Sequence, residues 1–87
     1  MRLIREEEIV RGVIGRLTGM GIYSAVTITM IRDGEVYLSR PFVYAHEHFD
    51  SRNGLMGCEN FSMSIRRATQ CIEVETDRDD KPTMMVT

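Results

Sequence analysis

The most reactive-looking stretch of the chain is His46-Glu47-His48-Phe49-Asp50. Histidines two apart on an extended segment point to the same side, so both imidazoles can reach one metal ion. Cys58 and Cys71 would complete a four-ligand zinc set. Their spacing matches none of the Cys-x2-Cys or His-x3-His units of common zinc modules. The histidines read instead as surface groups in a loop, and no metal is expected. Cys58 with His46 or His48 and Asp50 also supplies the residue types of a thiolate triad. No nucleophile elbow or oxyanion loop accompanies them, and so small a domain must still build a cleft. Gly12, Gly15, Gly19 and Gly21 lie within and after a helical pattern rather than ahead of one, which excludes a phosphate loop. The expectation is a chain that is not an enzyme and carries no cofactor.

A second constellation is acidic. Glu73, Glu75, Asp77, Asp79 and Asp80 place five carboxylates in eight residues. On an extended chain the first four share one face at a repeat of about 6.6–7 Å. That repeat is close to the phosphate separation along a nucleic-acid strand, so the stripe suits an Arg- and Lys-lined groove on a partner. The plainer use of the same charges is a hairpin kept soluble at its edge. A calcium loop is excluded because the Asp-x-Asp-x-Asp-Gly arrangement is missing. Basic features are thinner: an adjacent Arg66-Arg67 pair, and Arg2, Arg5, Arg11 and Arg16 on the first helical segment. Tyr37, Phe42 and Tyr44 are available for stacking on bases, but no nucleic-acid motif frames them.

Length and charge bound the function classes. Eighty-seven residues at 43% hydrophobic and 28% charged describe one ordinary globular domain, residues 1–87. Barrels and doubly wound sheets need far more chain. The net charge of −2 argues against a strongly basic nucleic-acid binder. It is unevenly spread, +1 over residues 1–40 and −3 over residues 41–87. Lys81 is the single lysine among eleven basic groups. Two cysteines are too few for a disulfide scaffold, the first residues lack the apolar run of a signal peptide, and no stretch reaches the length of a membrane span. The simplest compartment is the reducing cytoplasm.

The elements that must position these groups follow from periodicity. Ile9, Val10, Val13, Ile14 and Leu17 fall on one face of a 3.6-residue period, with Glu6, Glu7 and Glu8 in the first turns and Glu7 four residues before Arg11. This predicts an N-terminal helix, in which Gly12 and Gly15 need an offsetting contact, such as close packing on a sheet. Tyr23–Ile31 and Val36–Ser39, joined through Asp33-Gly34, predict a hairpin with Ile31 facing Val36 and Thr29 facing Leu38. Pro41 ends that second strand or places it at an edge, and Phe42–Ala45 would form a short third strand. His46–Asn60 reads as a long loop. Phe61, Ile65, Ala68 and Ile72 keep a helical period with Asn60 as N-cap, although Phe61, Met63 and Ile65 also alternate as a strand does. Glu73–Thr76 and Thr83–Val86 would close a C-terminal hairpin around residues 77–82. The expected fold is α+β: an N-terminal helix, an antiparallel hairpin, a long loop, a second short helix and a C-terminal hairpin.

A small acidic chain without catalytic constellations acts by binding. The leading expectation is a protein of the kind encoded by phages or mobile elements, which occludes a nucleic-acid-facing surface on a larger protein or nucleoprotein complex. Glu73, Glu75, Asp77, Asp79 and Asp80 would carry the charge complementarity. The alternative is a small nucleic-acid-binding regulator that uses the Arg-bearing helices. No membrane partner is expected. A second copy of the chain fits as a partner because open sheet edges gain by pairing.

Overall fold

The computed structural model describes residues 1–19, 25–43 and 56–85. Strands form at Arg2–Leu3 (β1), Ile14–Leu17 (β2), Ala25–Arg32 (β3), Glu35–Val43 (β4), Met56–Ser64 (β5) and Ile72–Val74 (β6). Among the described residues one helix covers Ile65–Cys71 (α1), and a 3-10 turn covers Glu6–Glu8. The strands make one antiparallel sheet in the order β1-β6-β2-β3-β4-β5. The protein is therefore mainly β, and the expected α+β arrangement of two helices and two hairpins is overturned.

The N-terminal helix is the largest correction. Gly12 adopts φ +98°, a conformation that ends any right-handed helix, and the chain turns there from Val10 to Val13. Gly12 N–H then donates to the Ile28 carbonyl at 2.8 Å and Ile28 N–H to the Val13 carbonyl at 2.9 Å, which brings this segment beside β3. The apolar residues that mimicked a helical face are split instead between a buried pair, Ile9 and Val13, an exposed Val10, and half-buried Ile14 and Leu17. The helical alignment of Glu7 with Arg11 is absent.

The first hairpin forms where Asp33-Gly34 places it. Both residues have positive φ, 51° and 78°, the two-residue geometry that matches the twist of the flanking strands. Ile31 faces Val36 as expected. A bulge between Ile28 and Met30 then shifts the register, so Ile28 rather than Thr29 opposes Leu38. That shift keeps Val26, Ile28, Val36 and Leu38 together in the core.

Pro41 does not end β4, which runs on to Val43. Among the described residues the ladder with β3 reaches Thr27 opposite Ser39, and Pro41 stands opposite Cys58 of β5. There is no separate third strand at Phe42. Residues 56–60 of the expected loop belong to β5, and the rest of it lies outside the described residues.

Both readings of the segment after the loop contain part of the answer. Phe61 and Met63 alternate inward on β5, while the helix begins only at Ile65, with Ser64 rather than Asn60 as its N-cap. Ser64 Oγ accepts the Arg67 N–H at 3.1 Å. Ala68 is the fully buried residue of α1. At the C-terminus, β6 ends at Val74, and the returning segment wedges between Glu75 and the start of β2. Thr83 N–H donates to the Glu75 carbonyl and Ile14 N–H to the Thr83 carbonyl. Isolated bridges join Thr76 to Pro82 and Val13 to Met84.

The core lies on one face of the sheet. Val26, Ile28, Val36, Leu38, Ile72 and Val74 point to it, and Ile4, Ile9 and Ala68 cover them. Gly15 shares this face where β2 meets β6. A methyl group there would stand 2.7 Å from Ile72 Cγ2 and 2.9 Å from the Glu73 carbonyl oxygen. Gly15→Ala should therefore destabilise the fold by about 1–3 kcal/mol, since the obstructing atoms include backbone. Urea unfolding followed by circular dichroism measures this, and a wild-type midpoint would show that β2 and β6 can separate freely.

Candidate functional site

The five acidic residues singled out above are brought into one region but divided between structural and exposed roles. Glu73 sits on β6 between Leu3 of β1 and Arg16 of β2, on the face away from the core, and is half-buried. Glu73 and Glu75 line a shallow cavity of about 150 Å³ together with Ile14, Arg16 and Thr83. Beyond Thr76 the chain enters a turn that Asp77 builds from within. Its Oδ1 accepts the N–H groups of Asp79 at 2.8 Å and Lys81 at 3.0 Å. Its own N–H donates to the Lys81 carbonyl, and its carbonyl accepts the Asp80 N–H. This is the local bonding that favours Asp in turns. Asp79 is exposed at the tip.

Asp80 follows in the left-handed region at φ 61°, a conformation that Asp tolerates better than most residues. Its carboxylate accepts Arg2 Nε at 2.9 Å and Arg5 Nη2 at 3.0 Å. Its carbonyl accepts Arg2 Nη2 at 2.8 Å. Arg2 grips Glu8 at the same time, Nη1 to Oε1 at 2.7 Å and Nη2 to Oε2 at 2.6 Å, the planar two-point geometry that only a guanidinium supplies. Glu8 Oε1 also accepts the Arg5 N–H at 2.9 Å and so caps the 3-10 turn. One arginine thus ties the N-terminal turn to the acidic C-terminal turn, with Glu8 the most covered member at 12% exposure.

The electrostatics follow from this geometry. The hydrogen bonds from Arg2, helped by the Arg5 N–H, hold Glu8 down at about 2 from an ordinary 4.5, against the opposing effect of burial. Arg2 also holds Asp80 below the usual carboxylate range, and the Arg2 guanidinium is itself held more firmly protonated. The Arg2 clamp was not legible in the sequence, because its partners lie 6 and 78 residues away. No local pattern marks such a pairing.

The other constellations are not assembled among the described residues. His46, His48 and Asp50 lie outside them, and no group of three or more His, Cys, Asp or Glu side chains capable of holding a metal is found among them. Cys71 packs half-buried at the end of α1 with its Sγ 3.5 Å from Met63 Sδ, and burial raises its thiol pKa. Arg66 and Arg67 stand exposed on the first turn of α1. No helix among the described residues is long and apolar enough to cross a membrane. Comparison of the chain with protein-family models, with curated proteins and with solved structures gives no match.

The clamp has a testable pH signature. A carboxylate held low in the folded chain stabilises the fold above its unfolded value and loses that contribution as pH falls through the folded one. Thermal midpoints should therefore drop as pH falls from about 4.5 toward 2. Glu8→Gln should lower stability at neutral pH and flatten the acid limb. An unaltered acid limb in that variant would place the sensitivity on other carboxylates.

Proposed function

We propose that this chain is a non-enzymatic binding protein that occludes a basic, nucleic-acid-facing surface of a larger protein or nucleoprotein machine. It is of the kind that phages and mobile elements encode against host defence or nucleic-acid-processing complexes. The observation that carries this reading is the fixed turn, in which Glu75, Asp77, Asp79 and Asp80 outnumber Arg78 and Lys81. Asp77 and Asp80 hold its backbone in place, and Glu75, Asp77, Asp79 and Asp80 are all exposed on the segment so fixed. A loop ordered before contact loses less conformational entropy on binding, so even a few charges there contribute usefully to affinity. Glu73 extends the acidic surface along β6.

The alternative, direct nucleic-acid binding through arginines, has lost part of its support. Arg2 and Arg5 are engaged with carboxylates, and the helix that would have aligned them with Arg11 and Arg16 is absent. Arg66 and Arg67 alone make a short basic patch.

The division of labour among the acids sets the experiment. Glu75→Lys combined with Asp79→Lys should leave the thermal midpoint close to wild type, whereas Asp80→Ala should lower it. The wild-type chain, immobilised in nuclease-treated lysate of its native host, should retain a stoichiometric protein that single-stranded DNA displaces and that the double variant fails to hold. Equal retention by the double variant would overturn the role given to these carboxylates. Retention of nucleic acid alone, without nuclease, would move the function to the arginines.

A further inference from the structure

On the outward face of the sheet, where β2 meets β6, opposite charges stand side by side without joining. Arg16 lies directly opposite Glu73 in the ladder. Opposite charges so placed attract across neighbouring strands. Among the described residues, however, neither side chain takes a hydrogen bond or an ion pair. Both line the shallow cavity of about 150 Å³ instead.

The local fold shapes this cavity. One step beyond the Arg16–Glu73 pair, Thr83 lies between the two strands. Its N–H donates to the Glu75 carbonyl at 3.0 Å, and its carbonyl accepts the Ile14 N–H at 2.9 Å. Glu75 stays on the same face as Glu73, two residues along an extended chain, and both carboxylates reach the cavity. Ile14 and Ala25 add apolar wall. The lining thus presents anions, one cation and a small apolar surface together.

We propose that the cavity binds the zwitterion of a small aliphatic α-amino acid, of which valine is the example. A cavity of this volume accepts a guest about the size of benzene, and the smaller α-amino acids have a similar number of non-hydrogen atoms. The ammonium group donates to Glu73 and Glu75, the carboxylate accepts from the Arg16 guanidinium, and the side chain lies on Ile14 and Ala25. These are charge-assisted bonds at both ends of the guest. A cation alone meets the repulsion of Arg16, and an anion alone meets two carboxylates, so the mixed wall selects a guest that carries both signs. The site lies before the acidic turn and shares only Glu75 with the surface assigned to the larger partner.

Amide NMR titration of the full chain tests this. Valine should shift the Gly15, Arg16, Glu73 and Glu75 amides along saturable curves in the millimolar range. Valinamide lacks the carboxylate and mimics the first residue of a peptide, and isovalerate lacks the ammonium. Each should bind about tenfold more weakly or worse, the loss of one charge-assisted interaction. Glu73→Gln and Arg16→Gln should weaken valine binding by a similar factor with unchanged circular dichroism, while the ligand comparison needs only the wild-type chain. Absence of a saturable shift with valine would overturn the proposal and leave Arg16 and Glu73 as surface charges. Valinamide binding as tightly as valine would also overturn it, because the cavity would then read an amine alone, as would valine binding indifferent to both substitutions.

Discussion

Seven residues carry the chain from the β5 edge of the sheet to β6, four strand positions away, and the rest of the fold answers to that short crossover. A helix of seven residues is about 10 Å long, whereas four strand spacings in a flat sheet span about 19 Å. Ser64 and Ile72 adjoin the helix directly, so no loop makes up the difference. The sheet must therefore coil around α1. Leu17 at the end of β2 accordingly lines the same groove as Phe61 and Met63 of β5, and Thr18 N–H donates to the Cys71 carbonyl at the end of the helix. Coiling gives the sheet a concave face, filled by Ala68 and by Ile4 and Ile9 of the N-terminal segment, and leaves its other face outward.

The same coiling explains why Arg2 matters. β1 is only two residues long and hangs on the far side of β6, so its own ladder with that strand is short. Arg2 adds hydrogen bonds to Glu8 and Asp80, which fasten the cover of the core to the turn beyond β6. Exposed ion pairs contribute little individually. Here their importance is geometric, since they set where the acidic turn stands relative to the sheet. Glu75, Asp77, Asp79 and Asp80 are all exposed, and two of them, Asp77 and Asp80, also orient the turn.

Legibility in the sequence followed the range of the interactions. Asp33-Gly34 announced its hairpin because the positive φ angles it needs are a property of those two residues. The N-terminal helix does not form because an apolar period carries no information about the chain's other strands, although Gly12 and Gly15 carry the contrary signal. One glycine turns the chain, and the other admits Ile72 and Glu73 close to the backbone. The bulge at Ile28 and the length of β5 are set by cross-strand register, which alternation within a single strand does not encode. Among the acids, the cluster itself was plain. The turn bonds of Asp77 are local, whereas the role of Asp80 required Arg2, which lies at the other end of the chain.

The acidic turn and the β5 edge lie toward opposite ends of the strand order, since β6 adjoins β1 while β5 closes the other side. Substitutions in the turn and in β5 share no strand pairing and should therefore act additively on stability.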